Sequence, residues 1–163
     1  MNNPHYRGWG WSQLRWMFTT FHLGPYQPLS WFTLGSDYLI WGMNPFGYHL
    51  TNLVLHTANA VLFYYVSRRL LSIIWSIPDE AGQAQLGWSA ALAALLFAIH
   101  PLRVESVVWV TERRDVLSGL FYLGTIYAYL RANTNPDGDL QARRWRHTAL
   151  VLFILSLLSK ATA

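Results

Sequence analysis

Apolar residues along this chain gather into four long runs, over about residues 48–71, 87–110, 115–131 and 147–163, each bounded by basic or turn-forming residues. As a helix rising 1.5 Å per residue, the first run would reach ~36 Å, enough to cross a bilayer with some tilt. Within it His49, Asn52, His56 and Asn59 recur at spacings of three, four and three, which puts all four on one helix face. The two His lie ~10 Å apart along the axis, too far for one metal ion, and no metal site is expected. The stripe predicts hydrogen bonds between helices, with His49 near the helix entrance left open to a substrate role. A polar connection, Ile77 to Gln85, follows. The second run is interrupted at His100-Pro101. It fits either a kinked helix running on to Val110 or a stop at the proline followed by a short helix over 102–113.

Ahead of these runs stand two shorter aromatic segments. In the first, Leu14, Met17, Phe18 and Phe21 fall at i, i+3, i+4 and i+7 behind a possible Ser12 N-cap. That stripe suits a helix lying in the membrane interface or one packed on a neighbour. The second, Leu29 to Trp41, carries Asp37 and is too short for a clean span, which needs ~20 apolar residues. Breakers at Gly24 to Pro28 and Gly42 to Gly47 separate them. The expectation is an all-α, polytopic membrane protein: about four transmembrane helices over 48–163, preceded by a loop region, 1–47, with interfacial helices.

Composition sharpens this picture. Only 12% of the 163 residues are charged while 16% are aromatic, against roughly 25% charged in an ordinary soluble domain. A mean hydropathy of +0.18 means that much of the chain nevertheless lies outside hydrocarbon. The pI near 9.6 comes from Arg residues placed in pairs at the ends of runs, with no stripe, which argues against nucleic acid. There is no Cys, so no disulfide or thiolate site. The start reads as neither a charged nor an apolar leader, and the end lies inside or just past an apolar run, as in a fragment.

Threading four crossings puts Arg68, Arg69, Arg131, Arg143, Arg144 and Arg146 on one side, and Arg7, Arg15, Arg103, Arg113, Arg114 and Lys160 on the other. With six on each side, the positive-inside rule does not orient the chain. The threading does gather Asp37, Glu105, Glu112 and Asp115 on one face. Between the second and third runs, His100 to Asp115 sets an apolar Val107-Val-Trp-Val110 patch among acids and bases, as a membrane-boundary hairpin would. Ionisable groups there are costly unless paired or facing water, so they carry a functional expectation. The alternative is a turn whose charges merely mark the bilayer surface.

Seven motifs in order resemble the bacterial relatives of the transmembrane and tetratricopeptide-repeat-containing protein O-mannosyltransferases. They are Trp16-Met-Phe-Thr-Thr-Phe21, Pro28-Leu-Ser-Trp31, Asp37-Tyr-Leu-Ile-Trp-Gly42, Asn44-Pro-Phe-Gly-Tyr-His-Leu-Thr-Asn52, His100-Pro-Leu-Arg-Val-Glu-Ser106, Glu112-Arg-Arg-Asp-Val-Leu-Ser118 and Leu157-Leu-Ser-Lys160. The resemblance implies a GT-C type membrane glycosyltransferase that takes a sugar from a polyprenyl-phosphate carrier and passes it to a protein or glycan acceptor outside the cytoplasm. No cofactor is implied beyond the lipid-linked donor. In a bacterium that places the chain in the inner membrane with its motif loops extracytoplasmic. The family's first span and the acidic pair that supplies its presumed base precede the region matching Asn3-Pro4, so this chain is expected to be an inactive fragment. The tail Lys160-Ala-Thr-Ala163 departs from the family's usual continuation.

Transfer from such a donor needs a base, positive charge on the departing phosphate and a groove for the isoprenoid. Arg113, Arg114 and Lys160 are the candidate phosphate contacts, since a guanidinium fork matches phosphate oxygens. For Arg113 the alternative is pairing with Glu112 or lipid headgroups. Asp115 is the candidate to orient an Arg or a sugar hydroxyl, or else simply caps the third run. Glu105 and His100 are candidates for sugar or acceptor, against structural hydrogen bonds at a proline kink. Tyr26 and His49 are expected near the same face. Two other classes compete: a non-catalytic membrane scaffold, and a transporter in which His49, His56, Glu105 and Asp115 line a pathway. No inverted repeat favours the transporter.

Overall fold

In the computed structural model, residues 3–22, 24–75, 79–134 and 139–161 are described, and among them the regular structure is entirely helical. Seven α-helices follow in order: α1 (Trp11–Thr19), α2 (Pro28–Trp41), α3 (Pro45–Ile74), α4 (Glu80–Ile99), α5 (Pro101–Val108), α6 (Arg113–Thr134) and α7 (Asp139–Ser159). Short 3-10 turns, Pro4–Tyr6 and Val110–Glu112, precede α1 and α6.

The punctuation is chemical. Pro28, Pro45 and Pro101 each open a helix, where the missing N–H costs nothing and φ is already set. The Asn44 side chain accepts from the Phe46 N–H at 3.1 Å, and that of Asp79 from the Gly82 N–H at 3.2 Å, so each caps a helix start. Gly42, at φ +60°, ends α2 and lets the chain turn into α3.

At His100-Pro101 the helix stops. His100 is extended, as a residue before proline prefers, and its Nδ1 accepts from the Leu102 N–H at 3.3 Å to start α5. The second apolar run is therefore two helices. Its first half also begins earlier than the sequence suggests, because Glu80 to Gln85, expected in the connection, is helical behind the Asp79 cap. Ser12 is not the α1 cap: Gly10 holds that position, and the Ser12 hydroxyl donates to Gln13 Oε1 at 2.8 Å.

Helices α3, α4, α6 and α7 form the bundle, with α6 packed most extensively on α7 and α3 wedged against both α4 and α6. The polar stripe of α3 holds it together, as its spacing predicts. Asn59 Nδ2 donates to the Val116 carbonyl at 2.8 Å, His56 Nε2 to that of Ala98 at 3.0 Å, and Asn52 Nδ2 to those of Val107 and Trp109 at 3.2 and 3.3 Å. His49, the fourth member, is exposed. Ser118 and Ser156 join α6 to α7 at 3.0 Å, and the Ser30 hydroxyl ties α2 to the Ser159 carbonyl at 2.9 Å. At the far end, Arg69 bonds to Thr134, and Arg131 lies 5.7 Å from both the Tyr127 and Trp145 rings.

A second core lies under the N-terminal segment, where Tyr6, Met17, Trp31, Leu34 and Tyr48 are buried together. Met17 is the buried member of the α1 stripe; Phe18 and Phe21 face outward. The bundle itself is turned partly inside out, with Trp88, Leu92, Leu96 and Ile99 of α4 and Leu150 and Val151 of α7 all more than half exposed. Contiguous apolar surface of that kind marks a face that meets something other than water. Four spans were expected; among the described residues one helix, α4, is both long and apolar enough to cross a membrane by composition. The others have the length, at 30, 22 and 21 residues, but each carries charged or amide side chains within it.

Candidate functional site

The motif residues meet at the end of the bundle where α2, α5 and the starts of α3 and α6 converge, and the fold sorts them into three environments. The first is interior. Arg113 is 0% exposed; its Nη2 lies 2.6 Å from Asp37 Oδ2 and donates to the Tyr48 carbonyl at 2.9 Å, while its Nε bonds to Asn52 Oδ1. The second Asp37 oxygen accepts from Thr51 Oγ1 at 2.8 Å. One buried ion pair thus fastens α2, α3 and α6 together. Arg113 opens α6, and a guanidinium so fully buried needs its counter-charge directly against it. Its partner is Asp37 and not Glu112.

The second environment is a cleft of about 600 Å³ between α4, α5 and α6. His100, Arg103, Ser106 and Asp115 line it with Phe63 and Phe97. Asp115 Oδ1 pairs with Lys160 Nζ at 2.5 Å, and its Oδ2 accepts from the Ser106 hydroxyl at 3.5 Å. Both charged side chains of the pair keep solvent contact, at 32% for Lys160 and 24% for Asp115. The Arg103 guanidinium lies 4.8 Å over the Phe97 ring. The Arg103 guanidinium gives the cleft a group that suits an anion, and Asp115 holds the Lys160 ammonium, which is not one of the lining groups.

The third is a cavity of about 960 Å³ between the N-terminal segment, α2 and the 3-10 turn before α6. There Arg114 and Glu112 form a forked pair, Nη2 to Oε1 at 2.7 Å and Nε to Oε2 at 3.2 Å. Rings of His5, Trp16, His22 and Trp31 make the wall opposite.

Successive residues Arg113, Arg114 and Asp115 therefore point to three different places, because neighbours on a helix are ~100° apart. Asp115 and His100 share a cleft, and Lys160 is tied to it through Asp115. Glu105 is exposed on α5 and lines none of these cavities. His49 is exposed, and the Tyr26 hydroxyl donates to the Phe18 carbonyl at 3.0 Å, so neither joins the cleft. Sequence reading missed Arg103 and Ser106 as cleft residues, and Asp37 as the counter-charge of Arg113. For Asp37 a signal exists: a lone acid in an aromatic segment is costly without a partner. The N-terminal cavity left no such signal. Among the described residues no three His, Asp or Glu side chains are grouped to hold a metal ion.

Over 114 residues, 66% of its length, the chain is 37% identical to Protein O-mannosyl-transferase Tmtc3 of Drosophila melanogaster, covering 12% of that protein. It is 30% identical over 132 residues, 81% of its length, to Protein O-mannosyl-transferase TMTC3 of Homo sapiens, again covering 12% of that protein. With human TMTC4 the match is 32% over 139 residues, 83% of this chain and 19% of the relative. The chain thus spans well under a quarter of each of these relatives. No family model and no solved structure matches it.

Proposed function

Because most of this chain is a relative of one segment of the protein O-mannosyl-transferases, we propose that it is part of the membrane portion of a GT-C type glycosyltransferase. The parent moves a sugar, mannose by analogy with its relatives, from a polyprenyl-phosphate donor to a protein or glycan acceptor outside the cytoplasm. Helices α3, α4, α6 and α7 cross the bilayer, and the wet end of the bundle carries the chemistry. The observation that supports this most directly is the pairing of Asp115 with Lys160 at 2.5 Å beside His100 and Arg103. It holds an ammonium against Asp115, one wall residue of a cleft that Phe63, Phe97 and Arg103 also line, and a lipid phosphate with the start of its isoprenoid suits such a lining.

In this scheme Lys160 contacts the departing phosphate as its charge grows, the form of stabilisation that a fixed cationic donor supplies best, while Arg114 binds substrate from the neighbouring cavity. Asp115 orients Lys160, and Ser106 and His100 bind sugar or acceptor hydroxyls. Arg113 is a positioning residue: it holds α2 against α6 through Asp37 and keeps its neighbours Arg114 and Asp115 aimed apart. Glu105, His49 and Tyr26 are left at the rim.

The test is sugar transfer by the full-length parent enzyme with Arg114→Ala and Asp115→Asn at matched expression. Each should lower turnover, Arg114→Ala by removing a contact to substrate and Asp115→Asn by releasing Lys160, by up to the roughly hundredfold that loss of a fixed donor costs. Unchanged turnover in both would take this end of the bundle out of the reaction. Purified alone, the 163-residue chain is expected to transfer nothing, since the acidic pair that the family likeness assigns to the base is not among its residues.

A further inference from the structure

Two residues that line the cavity of about 960 Å³ beside α2 each carry a buried polar side-chain atom that the described residues leave without a partner. Gln27 is 5% exposed and Trp31 is 7% exposed, and among the described residues neither Gln27 Oε1 nor Trp31 Nε1 has a hydrogen-bond partner. They stand one turn apart at the start of α2, where the Trp31 backbone N–H bonds to the Gln27 carbonyl, and both line the cavity. One is an acceptor only and the other a donor only. Interiors rarely keep such atoms idle, since each has given up water without a replacement.

A hydroxyl group accepts and donates at once, and adjacent ring hydroxyls can serve both atoms from one ligand. The rest of the wall fits a sugar ring. Trp16 stacks on His5 with centroids 5.6 Å apart and lies 5.2 Å from Trp31; His22 closes the group at 5.8 and 5.9 Å from the two indoles. Flat rings of this kind pack against the C–H face of a pyranose, while the Arg114–Glu112 fork at the same cavity can bind further hydroxyls. The volume lies within the range of small-molecule sites, ~300–1,000 Å³.

We infer that this cavity is a saccharide site, in which the Gln27 amide oxygen and the Trp31 indole N–H bind hydroxyls of one hexose while the aromatic wall covers its apolar face. For the choice of hexose the inference rests on the glycosyltransferase reading; for the chemistry it rests on the two unused atoms. It is distinct from the cleft of Asp115 and Lys160, and it assigns the sugar end of a substrate to the N-terminal segment.

Binding is measured without turnover, by saturation-transfer-difference NMR of the 163-residue chain in detergent micelles titrated with methyl α-mannoside. Gln27→Met keeps the size and loses the acceptor; Trp31→Phe keeps an aromatic ring and loses the N–H; Trp88→Phe, on the outer face of α4, is the control. Circular dichroism checks the helix content of each, and a variant that fails this check is set aside while the other decides. Gln27→Met and Trp31→Phe should each weaken binding by about 5–10-fold, the worth of one hydrogen bond, while Trp88→Phe binds as the parent chain does.

Equal binding by all four chains, or none by the unaltered chain, overturns the inference and leaves solvent alone to serve the two atoms. A second arm separates this from failure of the wider reading. If full-length Gln27→Met and Trp31→Phe transfer sugar with unchanged KM while Asp115→Asn is impaired, the saccharide cavity falls and the glycosyltransferase stands. Mannoside binding lost in both variants, with no transfer by the full-length parent, gives the reverse result.

Discussion

Arg113 and Arg114 adjoin in sequence and serve opposite ends. The first is wholly buried against Asp37 and Asn52; the second keeps 27% of its side chain in solvent, forked onto Glu112. Removing one member of a buried pair strands the other, so Asp37→Ala should destabilise the chain by about 3–5 kcal/mol, whereas Asp37→Leu with Arg113→Met should lose much less. Denaturant titration in micelles, followed by circular dichroism, checks both. Arg114→Ala should instead change stability by under ~1 kcal/mol, as for other pairs that keep solvent contact, while lowering transfer in the full-length enzyme proposed above. The sequence names both guanidinium groups as candidates and cannot say which turns inward. That depends on which face of α6 meets α3, and a pair of identical neighbours carries no periodicity from which to read it.

Between elements, the contacts that decide the packing are small or polar. Gly47 lies against Trp41 so closely that an added Cβ would sit 2.0 Å from its Cγ. Since that atom is at the root of the indole, Gly47→Ala should force the α2–α3 turn open and cost about 1–3 kcal/mol, seen as a lowered unfolding midpoint. Gly35 works likewise where α2 passes the N-terminal segment, its added Cβ falling 2.9 Å from both the Tyr6 carbonyl and the Met17 tip. Neither glycine announces itself in the sequence, because each is small for the sake of a neighbour that only the folded chain brings against it. The α3 stripe is the contrary case. Asn52, His56 and Asn59 are legible from spacing alone, and each bonds to a carbonyl of α4, α6 or the segment around α5. Asn59→Leu, which drops the Val116 bond, should cost about 0.6–1.7 kcal/mol in the same unfolding measurement.

For the molecule as a whole, the two ends of the bundle differ in kind: one gathers Asp37, Arg113, Arg114, Asp115 and Lys160, the other Arg69, Arg131 and their aromatic partners. The absence of Cys makes the proposed four crossings directly testable. Single cysteines replacing the exposed Glu105 and Arg144 should be labelled by a membrane-impermeant maleimide from opposite sides of sealed vesicles; equal labelling from one side would refute the crossings. Period, proline and cap chemistry are local properties of a chain, so most of the helices, the α3 stripe and the family likeness are legible without the fold, while the α1 cap and the start of α4 are not. Only the tertiary structure decided that Arg113 is structural, that Asp115 takes Lys160 as partner, and that Gln27 and Trp31 share a cavity. Those facts depend on which faces of distant helices meet, and such meetings are fixed by packing over the whole chain, beyond the reach of any single stretch of it.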